Sequence, residues 1–253
     1  MKLNGRIAIV TGAGSGFGEG IAKLFAQEGA KVIVADIRRD AAERVAAEIQ
    51  TSGGDAIVSG TDVTRNDQVA AMIRLTLDSF GKLDILVNNA GTTHKSQPML
   101  DVDEATFDHV YAVNVKSIYL SAKNIVPVFE KQGSGIIINI ASTAGVRPRP
   151  GLTWYNGSKG AVNILTKSMA VELAPLKIRV NAINPVMGET GLIADFLPGG
   201  LDTPESRAKV ISTIPLGRLS QPIDVAKAAA FLASDEADFI TGVCLEVDGG
   251  RCI

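Results

Sequence analysis

The apolar positions of this chain gather into short β-branched runs, separated by longer stretches in which they recur at helical spacing. Seven runs read as strands: RIAIVT at Arg6–Thr11, KVIVAD at Lys31–Asp36, DAIVSGTDVT ending near Asp62-Val63, KLDILVNNAGTTH ending in Asn88-Asn89-Ala90-Gly91, GIIINIAS at Gly135–Ser142, KIRVNAINP ending at Asn184-Pro185, and VCLEVDGG near the C-terminus. Continuous apolar runs without polar alternation fit parallel strands covered on both faces. Between them the spacing predicts helices reaching to about Glu28 and over roughly 39–51, 66–80, 104–130, 153–174 and 223–233. Pro127 is expected to bend or end the 104–130 helix, and Pro175 marks the stop of the next. Strands alternating with helices predict an α/β fold with a doubly wound parallel sheet. The stretch 187–216, rich in Gly and Pro with a helical piece near 205–212, reads as a lid or binding loop. No linker or repeat divides the chain, so one domain over 1–253 is expected.

Composition narrows the class without naming a chemistry. The 253 residues are 46% hydrophobic and 21% charged, with a formal net charge of −2. That balance offers no basic footprint for nucleic acid. No apolar run is long enough to cross a bilayer, and the strand-like run follows MKLNGR too closely for a signal peptide. Cys244 and Cys252 have no metal spacing, so no metal is expected, and a reduced cytoplasmic protein is the default reading.

The polar exceptions fall at the carboxyl ends of the strands, where open parallel sheets bind ligands. The first strand runs into Thr11-Gly-Ala-Gly-Ser-Gly-Phe-Gly18 and then a helix. In that frame glycines let backbone approach a pyrophosphate at the helix N-terminus. A flexible loop would explain the glycines but not the frame. Asp36 closes the second strand, where a carboxylate accepts hydrogen bonds from ribose hydroxyls and repels a 2′-phosphate, favouring NAD over NADP. Arg38 and Arg39 read as solvated residues opening the next helix, although an arginine there would suit a 2′-phosphate. Asp62 is a helix cap or an adenine contact. Asn114, an amide inside an apolar helix, needs partners.

Ser142, Tyr155 and Lys159 carry the candidate chemistry. One helical turn separates Tyr155 from Lys159, which puts both on one face. A phenol with a pKa of about 10 is a poor acid–base group at neutral pH. A neighbouring ammonium would favour the phenolate and lower that value, as proton exchange with a carbonyl or carbinol oxygen requires. A tyrosine packed under a lysine stem is the plain alternative.

Taken together, Thr-Gly-x-x-x-Gly-x-Gly at 11–18, Asn-Asn-Ala-Gly at 88–91, Asn114, Ser142 with Tyr155 and Lys159, Asn184-Pro185, Thr241-Gly242 and Val247-Asp248-Gly249-Gly250 resemble the short-chain dehydrogenase/reductase family. The resemblance spans essentially the whole chain. It implies a seven-stranded sheet and hydride transfer between nicotinamide and a carbinol carbon. Tyr155 would be the acid in reduction and the base in oxidation. Lys159 would lower its pKa and bind the nicotinamide ribose, Ser142 would position the substrate oxygen, and Asn114 would hold a relay water. Gly12, Ser15, Gly16, Phe17 and Gly18 would border the pyrophosphate, Asp36 and Ile37 the adenosine ribose, and Asp62 and Val63 the adenine. Asn89, Ala90 and Gly91 would line the middle of the cofactor, and Gly188 and Thr190, after Pro185, would hold the carboxamide. Two positions depart from the family pattern: Val186 follows Pro185 where glycine is common, and Phe17 stands where isoleucine is usual. Family members are usually tetramers, which implies a homotetramer paired through the 104–130 and 153–174 helices and the last strand.

The substrate is the open question. His94, Arg147, Arg149, Trp154 and Glu189 are the unusual residues near the expected pocket. Arg147 or Arg149, on the loop between Ser142 and Tyr155, is expected to bind an anionic group, unless both are surface or subunit-contact residues. GTTH with GVRPRPGLTWY resembles bacterial dehydrogenases of aromatic alcohols such as hydroxymethyl-benzenesulfonate. Sugar or polyol dehydrogenases and 3-oxoacyl-thioester reductases share the framework, and a catalytically silent dinucleotide sensor is the non-enzymatic alternative.

Overall fold

A computed structural model describes residues 1–191, 193–197 and 201–253. Its strands are β1 (Ile7–Thr11), β2 (Lys31–Asp36), β3 (Asp55–Gly60), β4 (Ile85–Asn88), β5 (Gly135–Ile140), β6 (Ile178–Pro185) and β7 (Cys244–Val247). They form one seven-stranded sheet in the order β3-β2-β1-β4-β5-β6-β7, every pair parallel. The order reverses between β1 and β4, so a crevice opens at their carboxyl ends.

The period of two within each strand divides the apolar side chains between two cores. Ala8, Val10, Val34, Val87 and Ile138 face α1 (Gly16–Gln27) and α2 (Arg39–Thr51), while Ile9, Ile33, Leu86, Ile137 and Val180 face α3 (Asn66–Phe80). Strands β1 and β5 are buried at every position, which explains their unbroken apolar character.

The expected 104–130 helix is three pieces: α4 (Glu104–Tyr111), a π-helical turn (Ala112–Lys116) and α5 (Ser117–Gln132). The Ser117 hydroxyl donates to the Val113 carbonyl at 2.6 Å, meeting a group that the wider turn loosens. Pro127 does not end α5. It sits on the exposed side of the helix, as does Lys123, whose carbonyl its missing N–H leaves open to water. Ile125 and Phe129, fully buried, hold that part of the helix onto the sheet. Strand β3 also stops earlier than expected, at Gly60. Asp62 lies beyond it in a turn, its Oδ1 accepting from the Thr64 N–H at 2.9 Å and the Thr64 hydroxyl at 2.7 Å.

Helix α6 (Thr153–Leu173) carries Tyr155 and Lys159. After β6, the irregular stretch contains two short helices, α7 (Ile193–Phe196) and α8 (Pro204–Ile211), before α9 (Pro222–Ala233). Val186, Met187, Ile193, Leu197, Ile214 and Leu219 give this segment a small core of its own. Leu192 and the Pro198-Gly199-Gly200 part of the expected loop lie outside the described residues.

Close backbone contact sets the glycine loop. Gly12 and Gly16 have φ of +62° and +59°, which L side chains rarely adopt. A Cβ at Gly18 would lie 2.2 Å from the Gly12 carbonyl oxygen and 2.4 Å from Asn89 Nδ2. Gly18→Ala is therefore expected to destabilise the chain by about 1–3 kcal/mol, read as a lowered midpoint in thermal or urea unfolding.

Candidate active site

A cleft of about 710 Å³ opens at the carboxyl ends of the strands. Each of its walls comes from a loop whose position the sheet dictates.

At one end, β1 and β4 are stapled together beyond their last residues. The Thr11 hydroxyl accepts from the N–H groups of Asn89 and Ala90 at 3.0 and 3.1 Å, and Asn89 Nδ2 donates to the carbonyls of Thr11 and Gly12. Asn89 thus fixes the glycine loop and is occupied in doing so. Asp36, buried, accepts from the N–H of Gly14 through Oδ2 and from that of Arg38 through Oδ1, both at 2.9 Å. Each carboxylate oxygen keeps a second acceptor position. Arg38 is not merely a solvated residue opening a helix. Its guanidinium reaches back to Ser15 Oγ at 3.0 Å, passes 3.9 Å from Asp36 and lines the cleft. Arg39 does follow the solvated expectation, pairing with Glu43 one turn on. Ile37 is exposed at the lip, and Asp62 and Val63 continue the wall.

At the other end, β5 delivers Ser142, which caps a single helical turn by accepting from the Ala144 N–H at 3.1 Å. Backbone contact places this loop on α6: a Cβ at Gly145 would lie 2.6 Å from the carbonyl carbon of Lys159. Tyr155 and Lys159 are both buried on the face of α6 that meets it. Lys159 Nζ donates to the Ile140 carbonyl at 2.9 Å and stands 5.9 Å from the Tyr155 ring centroid. Burial pushes the Lys159 ammonium down to about 8. Burial also raises the Tyr155 pKa, against the opposing influence of a hydrogen bond with Ser142 and the positive charge of Arg149. The expected lowering of the phenol by Lys159 is thus replaced by a net rise. Desolvation dominates, and the ammonium is turned to a carbonyl of β5.

Asn114 lies in the π turn, 2% exposed. Its Oδ1 accepts from the Thr92 N–H, and its Nδ2 donates to the Thr92 carbonyl and to Ser158 Oγ, at 2.9, 2.9 and 3.0 Å. A Cβ at Gly91 would lie 3.4 Å from both Asn114 Oδ1 and Lys159 Nζ. Gly91 therefore keeps the gap between the amide and the ammonium open.

The two departures from the family pattern are accommodated side by side. The Val186 side chain is buried in the small core of the segment after β6, and its N–H donates to the Val247 carbonyl at 3.3 Å. Phe17 lies over Gly188, where a Cβ would come within 2.4 Å of the ring. Thr190 covers Gly16, and Pro185, Gly188 and Thr190 all line the cleft.

Of the five substrate candidates, only Arg149 lines the cleft. His94 is buried behind the site, with Nδ1 2.9 Å from the Lys95 carbonyl and Nε2 accepting from the Tyr155 backbone N–H at 3.5 Å. It caps the first turn of α6, which has no side-chain N-cap of its own. Arg147 donates to the carbonyl of Arg251. Trp154 donates to the Met99 carbonyl at 3.1 Å and packs edge-on against Phe107. Glu189 pairs with Arg207 on α8 at 2.9 Å. Sequence reasoning missed Thr92, His109 and Phe196 as lining residues. Phe196 meets the Tyr155 ring edge-on, with centroids 5.2 Å apart. It ends α7, a helix too short for its periodicity to show in the sequence.

A family profile described as enoyl-(acyl-carrier-protein) reductase matches residues 12–251. The chain belongs to the short-chain dehydrogenase/reductase family. It is 52% identical, over all of both chains, to 4-formylbenzenesulfonate dehydrogenase of Comamonas testosteroni. A 3-ketoacyl-(acyl-carrier-protein) reductase of Brucella melitensis, solved with NADH, is 49% identical and superposes with a TM-score of 0.93, covering 99% of this chain and 100% of that one. A 7α-hydroxysteroid dehydrogenase, solved with NADH and a 7-oxo bile acid, is 39% identical with a TM-score of 0.92, covering 98% of this chain and 95% of that one. The expected family and the seven-stranded doubly wound sheet are therefore both present.

The buried ammonium predicts a pH signature. The folded chain releases the Lys159 proton near pH 8, whereas an unfolded lysine holds it to about pH 10.4. Between those values the unfolded state binds more protons, so this group makes stability rise with pH; below them the burial penalty is complete. Lys159→Met is expected to gain up to roughly 3 kcal/mol of stability at pH 7. Calorimetric melts should show the advantage shrinking towards pH 10.

Proposed function

We propose that this chain is a nicotinamide-dependent dehydrogenase that interconverts an alcohol and its carbonyl, with Tyr155 transferring the proton. The observation that carries the reading is that Ser142, Tyr155 and Lys159 line the same cleft as Gly12, Gly16, Asp36 and Asp62. The residues present fit a dinucleotide. Gly12 and Gly16 expose backbone at positive φ at the start of α1, and Asp36 retains acceptor positions for hydroxyls. Gly12, Ser15, Gly16, Phe17 and Gly18 would hold the pyrophosphate, Asp36 and Ile37 the ribose, and Asp62 and Val63 the adenine. Asn89, Ala90 and Gly91 would follow the middle, Lys159 the second ribose, and Gly188 and Thr190 the carboxamide. When bound, a nicotinamide dinucleotide supplies the hydride in reduction and takes it up in oxidation.

In reduction Tyr155 donates its proton to a carbonyl oxygen held by Ser142, and in oxidation the phenolate recovers a proton from the alcohol. Burial keeps the phenol protonated near neutrality, ready to act as an acid. Lys159, whose own proton is labile near pH 8, restores that proton through a water held beside Asn114. Met187, Thr190 and Phe196, from the stretch after β6, cover the substrate. NAD is preferred over NADP because the Asp36 carboxylate would repel a 2′-phosphate, and Arg38 is already drawn to within 3.9 Å of that carboxylate. The active form is a cytoplasmic homotetramer. Tyr119 on α5 and Ile164 and Val171 on α6 are exposed apolar side chains on the helices that would pair. Among the described residues no helix is long and apolar enough to cross a membrane.

The 52% identity to a dehydrogenase of an aryl aldehyde supports an aryl alcohol or aldehyde as substrate. The 49% identity to a ketoacyl reductase favours a second reading, reduction of 3-oxoacyl thioesters. NADH oxidation with substituted benzaldehydes and with acetoacetyl-CoA separates them, and the benzaldehydes are expected to be the better substrates. Tyr155→Phe is expected to lower kcat by about 10²–10⁴-fold while NADH still binds, as followed by its fluorescence. Undiminished turnover would reject the proton-transfer role. Asp36→Ser is expected to shift the kcat/KM ratio towards NADP; an unchanged ratio would reject the basis given for NAD preference.

A further inference from the structure

A positively charged corner borders the Tyr155 end of the cleft. Three arginines from two distant parts of the chain meet there. Arg147 donates to the Arg251 carbonyl, and Arg149 and Arg251 act on each other as like charges. The Arg149 side chain lines the cleft with Ser142, Tyr155 and Phe196. Its carbonyl accepts from Asn156 Nδ2 at 2.8 Å, which ties the loop to the first turn of α6. Arg251 keeps Nε and Nη1 buried with no hydrogen-bond partner among the described residues.

Among the described residues no carboxylate forms an ion pair with this corner. None of the ion pairs among the described residues involves Arg147, Arg149 or Arg251. Asp248, three residues before Arg251, is spent on the backbone N–H groups of Gly250 and Cys252 at 2.9 and 2.7 Å. Glu246 faces Asn184 Nδ2 at 3.4 Å, and Glu189 is taken by Arg207. Guanidinium groups that feel each other's charge and have no ion-pair partner are costly in a partly desolvated site, and an anion offsets that cost.

We propose that Arg149, backed by the positive charge of Arg251, forms an anion subsite beside Tyr155 that selects alcohols and carbonyls bearing a carboxylate or sulfonate. The proposal rests on the dehydrogenase reading above. The planar guanidinium matches such groups with paired N–H donors. Phe196, edge-on to Tyr155, adds an apolar wall, which suits an aryl ring linking the ionic group to the reacting carbon. Arg147 acts as a strut between the loop and the C-terminal turn.

4-Formylbenzoate and neutral 4-formylbenzamide differ in charge and little in shape. The wild-type chain is expected to reduce the carboxylate with the higher kcat/KM. Arg149→Gln and Arg251→Gln should each lower the carboxylate-to-amide ratio at least about tenfold, mainly through KM, with Arg251→Lys recovering part of it. Calorimetric titration with benzoate gives a reading that needs no turnover. Binding should weaken with salt and fall at least about tenfold in each glutamine variant. A ratio and a benzoate affinity unmoved by both glutamine variants would overturn the subsite. An equal loss on the two aldehydes, with benzoate affinity retained, would do the same and reduce the arginines to a structural role. If neither aldehyde turns over but benzoate binding still depends on the arginines, the subsite stands and the dehydrogenase reading fails.

Discussion

The site depends on holding a lysine ammonium away from water. Lys159 is 5% exposed, and Ile140 supplies a carbonyl for it at 2.9 Å. A charge so placed costs stability at neutral pH, and the surrounding backbone is arranged to keep it there. Gly145 lets the loop after β5 touch the α6 backbone at Lys159 itself, and Gly91 leaves a gap in front of the ammonium. The π turn at Ala112–Lys116 brings Asn114 to the other side of that gap. Three elements far apart in sequence are thus fixed relative to one group, and Ser142 and Tyr155 come into register as a consequence.

Most of the fold was legible because its determinants are local. The central strands are buried on both faces, so their composition announces them, and α2 and α3 begin and end where the spacing placed them. What was not legible depended on partners elsewhere in the chain. The π turn joins helices packed on different neighbours, α4 on α6 and α5 on α3, which no period within 104–130 encodes. Pro127 reads as a helix breaker until its exposed position makes the orphan carbonyl harmless. In the site, the spacing of Tyr155 and Lys159 gave their shared face, but not that Lys159 would turn to Ile140 or that burial would outweigh it on the phenol.

The substrate candidates divide along the same line. His94, Trp154 and Glu189 stood out because polar or aromatic residues near a site invite a ligand role. Each instead meets a group of the chain itself: the Tyr155 backbone N–H, the Met99 carbonyl and the Arg207 guanidinium. Arg149 is the exception because the carboxylates near its neighbour Arg251 were already engaged. Only the folded arrangement distinguishes a satisfied polar side chain from an unsatisfied one, and Arg251 carried no signal of its own in the sequence.

A net charge of −2 hides a polarised cleft. Asp36 and Asp62 stand at one end, and Lys159 and Arg149 at the other. The N-terminus of α1, with its unpaired N–H groups and positive dipole end, lies at the glycine loop. Such an arrangement orients before it binds: hydroxyl-bearing sugar suits the acidic end, a pyrophosphate the helix start, and an anionic substrate the basic end. The Arg149 charge that would draw an anion towards Tyr155 also favours its phenolate. An anion seated on Arg149 would weaken that support as the substrate arrives, holding the phenol protonated and biasing the bound complex towards carbonyl reduction rather than alcohol oxidation.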